Sequence, residues 1–451
     1  MGRDLSRQWR FGVPATLKPD LRGSQVFSAS LRLGVSIVFS VLTLSALGSA
    51  YAADPIPGAT VDSLLALARE RNPDLAAARL EAEAAVERVQ PAGALPDPVL
   101  RVELENVTNG GTTGLTLSPS RVGDTKYTVI QSLPFWGKRG LRRAVAGADA
   151  EQAGKRSQDV GLELAGRIKS AYADWWLNSR NAALNRELLD LMGGVEKLAQ
   201  ARYAAGLVPQ QDAIRAQVER TGLLTDVLMF NHDRDTLLAQ INGLLARPYN
   251  APLESGVALR PVPPPDQLTL EVLGPKLIAA NPELAGQDAR IVGARSSRDL
   301  AYRERYPDFS LGVVPMQVNN GIGSWGVMLE MNLPLQQESR RSRERESELM
   351  LAAAEAKKAG IAERLRADLG NARAALHAAR LTEQLISGNL LPLAELGFKS
   401  AMAGYETGKV DFATLLDAQR QVKQAKQNLY KSQATQRARL ADIERLIGEE
   451  L

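Results

Sequence analysis

Leu100-Arg101-Val102-Glu103-Leu104-Glu105 alternates apolar and charged side chains, the pattern of an extended strand with one oily and one wet face. A partner spans about 126–133 (KYTVIQSL), with poorer alternation. The pairing returns about two hundred residues later. Phe309, Leu311 and Val313 alternate with small residues, and Trp325, Val327, Leu329, Met331 and Leu333 alternate with Gly326, Met328, Glu330 and Asn332. Between the partners lie Asn/Gly/Thr/Ser stretches, 106–124 and 317–324, that read as loops. Strands of about 8–10 residues can cross a bilayer when tilted. Four of them cannot close, and hydrocarbon does not tolerate an open sheet edge. If these strands span a membrane, several chains must pool them, and three chains give about twelve. Arg101, Glu103, Glu105, Gly326, Glu330 and Asn332 then face a wet lumen. The competing reading is a soluble helical protein with a small four-stranded sheet.

Each strand pair sits at the same place in a larger unit. An amphipathic helix of about 30 residues precedes it, roughly 60–90 and 268–304. A very long helix follows: Lys138 to Tyr203 holds no proline, and its 66 residues reach roughly 100 Å. Its counterpart is proline-free from Leu335 to Leu391, with Pro392 as a kink. After Gly206-Leu-Val-Pro209 or Gly408-Lys-Val-Asp411 a second helix returns. Leu223, Val227, Phe230, Leu237, Ile241 and Leu244 give it a coiled-coil seam, continued in the second unit by Leu440, Ile443 and Ile447.

Short motifs mark the repetition directly. Asn72-Pro73-Asp-Leu75 returns as Asn281-Pro282-Glu-Leu284, Ser132-Leu-Pro134 as Asn332-Leu-Pro334, and Tyr203-Ala-Ala-Gly206 as Tyr405-Glu-Thr-Gly408. Matches in one order at nearly one spacing indicate a duplication. The division is a leader over 1–52, a first repeat over 53–266 and a second over 267–451, with the stiff Pro261-Val-Pro-Pro-Pro265 tract at the seam.

Composition closes off other classes. The chain has 451 residues, 55 Lys+Arg, 51 Asp+Glu, two histidines and no cysteine. Residues 1–53 carry six basic side chains against two acidic ones, which leaves 49 of each sign in the rest. The body therefore has no net attraction to phosphate, and no nucleic-acid partner is expected. A basic segment, an apolar run from Leu33 to Leu47 and Ala50-Tyr51-Ala52 read as a cleaved export signal. Without cysteine there is no thiolate metal site, Cys nucleophile or lipid-anchor Cys, and His232 and His377 lack partners at metal spacing. No enzyme signature is present, so no catalytic residue, cofactor or resident metal is expected. Gly140, Gly147, Gly154 and Gly161 lie on one helix stripe and suggest close helix approach below the barrel.

The ordered set of parts resembles the TolC-like outer membrane factors, over about residues 58–449. Leu133-Pro134-Phe-Trp-Gly-Lys-Arg139, Tyr203-x-x-Gly206, and Tyr405-x-x-Gly408 with Leu416-Asp417-Ala-Gln419 carry it. The Leu-Pro-x-x-Gly-Lys-Arg turn is most similar to the CzcC/CusC-like heavy-metal cation branch. The resemblance implies a mainly α homotrimer, four strands per chain forming a twelve-stranded outer-membrane barrel above a coiled-coil periplasmic tunnel. It implies a passive efflux duct working with a periplasmic adaptor protein and an inner-membrane RND-type pump, the cargo being heavy-metal cations. A multidrug or type I secretion channel of the same fold, or a soluble periplasmic coiled-coil adaptor, are the alternatives.

By the same resemblance, Gly206, Leu207, Val208, Gly408 and Val410 form adaptor-contact tips, and Asp212, Tyr405, Lys409 and Asp417 form a periplasmic gate. Tyr405 and Asp212 match a pair whose hydrogen bond holds the family's entrance shut. Val410 stands where the family has a gate Arg, and Thr414 where it has a second entrance acid, so the closing network is altered. Asp212 and Asp417 also read as helix-start residues capping free N–H groups. Phe135 and Trp136, followed by Lys138 and Arg139, suit a membrane interface and contact with outer-membrane lipid.

Overall fold

The computed structural model describes residues 56–108, 114–254 and 258–451; the segment read as an export signal lies outside them. Two equivalent sets of elements follow one another. The first comprises α1 (Val61–Arg71), α2 (Pro73–Glu87), a one-turn α3 (Val89–Ala92), β1 (Val99–Glu105), β2 (Asp124–Leu133), α4 (Lys138–Ala204) and α5 (Gln210–Leu244). The second comprises α6 (Leu270–Ala280), α7 (Pro282–Arg303), β3 (Phe309–Val318), β4 (Gly321–Met331), α8 (Gln337–Leu385), α9 (Leu391–Glu406) and α10 (Phe412–Ile447).

The leading helices are not continuous as expected. Each breaks at its Asn-Pro pair, because the ring of Pro73 or Pro282 forces an extended backbone on the residue before it. Asn72 and Asn281 sit at ψ 121°, and each then caps the next helix. Leu75 N–H donates to Asn72 Oδ1 at 3.0 Å, and Leu284 N–H donates to Asn281 Oδ1 at 3.0 Å. The same two side chains reach the ends of the return helices. Asn72 Nδ2 donates to the Leu244 carbonyl at 2.9 Å, and Asn281 Nδ2 to the Leu446 carbonyl at 2.8 Å.

Cores repeat as well. Leu64 and Leu65 of α1 meet Ile168 and Tyr172 of α4 and Ile241 of α5. In the second copy Leu273 and Leu277 of α6 meet Leu365 and Leu369 of α8 and Ile443 and Ile447 of α10. A third cluster, toward the hairpin ends, joins both copies through Met192, Ala216, Leu223, Tyr405, Phe412 and Leu415.

The strands form one antiparallel meander in the order β1-β2-β3-β4. Register puts Arg101 opposite Thr128, Glu103 opposite Lys126, Ser310 opposite Glu330 and Val314 opposite Gly326. One face therefore carries Arg101, Glu103, Glu105, Asp124, Lys126, Ser310, Gly326 and Glu330, with Ile130, Val314, Met316 and Met328 among them. Leu100, Val102, Val129, Leu311, Val313, Trp325, Val327 and Leu329 lie on the other. This apolar face is open in the single chain, with Val327 84% exposed. Asn332, expected in the lumen, lies just past β4 and closes the strand end: Asp308 N–H donates to its Oδ1 at 2.6 Å, and its own N–H donates to the Asp308 carbonyl at 3.2 Å.

Three other expectations are corrected. The segment 317–324 is no loop: β3 and β4 join through Asn319-Asn320 alone, and the amide side chain of Asn319 suits its left-handed φ of 56°. The bend near Pro392 is spread over a π-turn at Ile386–Leu390, where Leu391 N–H donates to the Ile386 carbonyl. The wider turn accommodates a ring that has no N–H to donate. A Cβ placed on Gly161 would stand 3.6 Å from Leu75 of α2, but nothing described lies within 4 Å of one on Gly140, Gly147 or Gly154, so most of that stripe makes no close helix contact inside the chain. Gly293 of α7 does, since a Cβ there would stand 3.2 Å from Ala148 of α4.

Candidate functional site: the hairpin tips

Two turns reverse the chain at the end of the helices away from the sheet. Both are Schellman closures. Gly206 N–H donates to the Tyr203 carbonyl at 2.9 Å and Leu207 N–H to the Arg202 carbonyl at 2.9 Å. In the second copy Gly408 N–H donates to the Tyr405 carbonyl at 3.0 Å and Lys409 N–H to the Gly404 carbonyl at 2.8 Å. The geometry needs a left-handed residue, supplied by Gly206 at φ 74° and Gly408 at φ 75°. Leu207 projects from the first tip, 68% exposed, while Val208 and Val410 are half-buried and Lys409 is exposed.

Behind the tips the two hairpins meet in a small polar cluster. Tyr405 is 1% exposed, and its ring packs edge-on against Phe412 at 5.4 Å. Arg202, at the end of α4, lays its guanidinium over that ring at 5.0 Å and donates through Nη1 to the Tyr405 carbonyl. The Tyr405 hydroxyl has no hydrogen-bond partner among the described residues. The expected Tyr405–Asp212 bond is thus not formed in this chain, although Asp212 is near enough to act on the phenol: burial first, and then the Asp212 charge, push the Tyr405 pKa up. Asp212 is buried too, 9% exposed. Burial raises its pKa, Asp411 adds to the rise, and Arg215 and Arg202 oppose it.

Neither Asp212 nor Asp417 caps a helix. Pro209 precedes α5 with no side-chain cap, and Asp212 stands in the first turn without accepting a backbone N–H. In the second copy the cap is Asp411, whose Oδ1 accepts from Thr414 N–H at 2.9 Å. Asp417 lies further along α10, exposed, with Arg420 at 3.9 Å. The structure therefore brings Tyr405 and Asp212 together and leaves Lys409 and Asp417 at the surface. Arg202 escaped the sequence reading. Its signal was its place, directly before Tyr203-x-x-Gly206, where a long cation can reach across to the repeated Tyr-x-x-Gly turn.

At the opposite end, the turn leading into α4 is anchored by ion pairing. Lys138, 3% exposed, donates to Asp308 Oδ1 at 2.7 Å and to the Tyr306 carbonyl at 2.8 Å. Phe135 N–H donates to Asp308 Oδ1 at 2.8 Å, and its ring stacks on Tyr306 at 4.6 Å. Trp136 projects outward, 77% exposed, at the foot of the open apolar face. Along the polar face, Lys126 pairs with Glu105, and Arg101 lies 3.9 Å from Glu103.

Comparison with known proteins covers nearly the same span as the described helices and strands. A family model described as outer membrane efflux protein matches residues 64–247 and 273–449, one segment in each copy. The cobalt-zinc-cadmium resistance protein CzcC of Cupriavidus metallidurans is 25% identical over 378 residues, covering 81% of this chain and 84% of that protein. Among solved structures, the outer membrane protein VceC from Vibrio cholerae superposes with a TM-score of 0.74 at 15% identity, covering 86% of this chain and 96% of its own. CusC superposes with a TM-score of 0.73 at 14% identity, covering 86% and 92%.

Proposed function

The chain belongs to the outer membrane efflux protein family, and from that premise we propose that it is the exit duct of a tripartite, RND-type efflux system carrying heavy-metal cations outward. The observation that carries the duct reading is the sheet: four strands, two edges free among the described residues, one face apolar and open, the other bearing all of its charged side chains. In hydrocarbon the apolar face is stable only if both edges find partners. Three copies supply about twelve strands and close the ring. Arg101, Glu103, Glu105 and Glu330 then line a wet lumen, and Trp136 with Phe135 marks the periplasmic interface.

The helices prolong that lumen through the periplasm, and the tips at Gly206–Val208 and Gly408–Val410 receive the adaptor. Arg202 holds the two tips together at Tyr405, in place of the guanidinium missing at position 410. Asp212 stands beside them, and Lys409 and Asp417 face the mouth. The duct is passive and leaves selectivity to the pump and adaptor, since the chain has no cysteine thiolate with which to select a soft metal. The metal assignment draws on the similarity to CzcC.

Two measurements test this reading. Purified protein in a planar bilayer is expected to conduct; a protein that never conducts would overturn the duct. A strain lacking the gene is expected to become sensitive to Zn, Co, Cd, Cu or Ag. Sensitivity to dyes and detergents alone would keep the duct and transfer it to multidrug efflux.

A further inference from the structure

The two copies enter their long helices with opposite charge. At the offset that carries Leu133-Pro134 onto Leu333-Pro334, Trp136 stands against Gln336, Lys138 against Glu338, Arg139 against Ser339 and Arg142 against Ser342. A helix N-terminus carries partial positive charge and favours acids. In α8 Glu338 stands in the first turn, as that rule requires. In α4 there is no acid, and Lys138, Arg139, Arg142 and Arg143 crowd its first six residues. The fold makes the same turn in the second copy without these cations, so their presence in α4 calls for another cause.

Lys138 is matched by Asp308. None of Arg139, Arg142 and Arg143 has an ion pair among the described residues, whereas Arg343, the counterpart of Arg143, is held by Glu304. Arg139 and Arg143 lie one turn apart on one side of α4, and both reach Gly93, which follows α3. Arg139 Nε donates to the Gly93 carbonyl at 2.9 Å. A Cβ on Gly93 would stand 2.6 Å from Arg143 Nε, so the missing side chain admits the second guanidinium. Two like charges are thus gathered against one residue with no carboxylate to offset them, and Arg142 flanks them, exposed. Trp136, 77% exposed, directly precedes this helix at the foot of the open apolar face. From Lys138 to Arg143 the helix advances about 8 Å, and the headgroup layer on each side of a bilayer is about 5–8 Å deep. An indole at the edge of the hydrocarbon therefore leaves the guanidiniums at the depth of the phosphates.

We propose that Arg139, Arg142 and Arg143, with Trp136, form a binding site for an anionic phospholipid of the periplasmic leaflet. The phosphodiester sits among the guanidiniums, whose planar N–H donors suit phosphate oxygens. An acyl chain lies along the indole and the apolar strand face. Only a lipid meets the charge and the oily surface at once, which selects it over a free anion. The site belongs to the first copy alone. The inference rests on the barrel reading above, which brings this turn to the membrane surface.

Trp175 and Trp176 are buried in the helical body, so Trp325→Phe leaves Trp136 as the one exposed tryptophan among the described residues. The full chain with that substitution is reconstituted in phosphatidylcholine vesicles, and its fluorescence is quenched with brominated phosphatidylglycerol or brominated phosphatidylcholine. Phosphatidylglycerol is expected to quench at a mole fraction at least about fivefold lower, the equivalent of one basic residue at an anionic surface. Arg139→Gln with Arg143→Gln is expected to abolish that preference. So is Arg142→Gln with Arg143→Gln, which keeps the bond from Arg139 to Gly93. Arg340→Gln with Arg341→Gln, in the second copy, is expected to leave it intact. A preference kept in both α4 variants, or lost in all three, overturns the site. Inorganic phosphate, compared with chloride at equal ionic strength, is expected to change nothing; loss of the preference would assign the arginines to a free anion and overturn the lipid. Equal quenching by the two lipids in protein that conducts overturns the site and leaves the duct standing. Protein that neither conducts nor is quenched by either lipid overturns the duct itself.

Discussion

Asn72 and Asn281 each use one amide twice, accepting from the helix that follows and donating to the end of a return helix about 170 residues away. Both are buried, so truncation removes a cap and strands a carbonyl. Asn72→Ala or Asn281→Ala is expected to cost about 2–3 kcal/mol, read as an earlier helical melt by circular dichroism. Arg202 is expected to matter at the tip in a different way. Arg202→Ala removes a cross-hairpin hydrogen bond and a cation on the Tyr405 ring, together about 1–3 kcal/mol, and should raise single-channel conductance. Tyr405→Phe, by contrast, deletes a hydroxyl without a partner and should change stability by no more than about 0.5 kcal/mol. Asp212 gives the tip a pH dependence of known sign. Its raised pKa means that the packed tip favours the neutral acid, so its contribution is complete below the ordinary carboxylate range and disappears as pH rises through the folded value. Conductance should therefore increase on going from about pH 4 to pH 7, and Asp212→Asn should flatten the curve.

At the scale of elements, the π-turn before Pro392 sets which way the end of α9 faces. One extra residue in a turn rotates everything beyond it by about 100° relative to a regular helix. Pro392→Ala removes the ring that this turn accommodates, and helix propensity then favours closing it by about 3 kcal/mol. The variant is expected to melt later by circular dichroism, and an unchanged or earlier melt would mean that the turn does not depend on the ring. What the sequence made legible follows from the range of each signal. The strands and the long helices were readable because period-2 alternation at Leu100–Glu105 and a proline-free run of 66 residues are local properties. The break at Asn72-Pro73 was readable in principle and hidden by the amphipathic pattern continuing across it. The two-residue turn at Asn319-Asn320 was masked by polar residues that also suit a longer loop. The Arg202–Tyr405 contact was not legible, since residues 203 positions apart are joined by how two hairpins lie together. The glycine stripe of α4 was legible in part: Gly161 lies beside Leu75 of α2, but spacing alone does not reveal what stands opposite Gly140, Gly147 and Gly154.

For the whole molecule, the decisive physical fact is that the sheet leaves a broad apolar face exposed, while the helices pack through buried apolar clusters and are tied further by polar and ionic contacts. Glu444 is the clearest tie. It is buried in α10, accepts from Lys169 of α4 at 2.6 Å, from Arg260 at 3.1 Å and from the Leu451 N–H at 3.0 Å. It thereby joins the first long helix, the connector between the copies and the end of the chain. Such a hub suits a helical body in water, where the ends of each ion pair can be partly hydrated, and it would be costly in lipid. If the sheet lies in the membrane, it and the helices meet different solvents, and the strands should show it by face. Val327, on the open apolar face, and Gly326, beside it on the polar face, differ by one residue and by opposite surroundings. Val327→Arg places a charge toward hydrocarbon and should cost about 2–4 kcal/mol if the residue lies near mid-bilayer, read as lost trimer in mild detergent. Gly326→Arg points the same charge into the lumen, where water solvates it, and should leave assembly intact while lowering cation conductance. Equal damage at both positions would mean that the sheet has the same medium on its two faces, and the barrel would have to be abandoned.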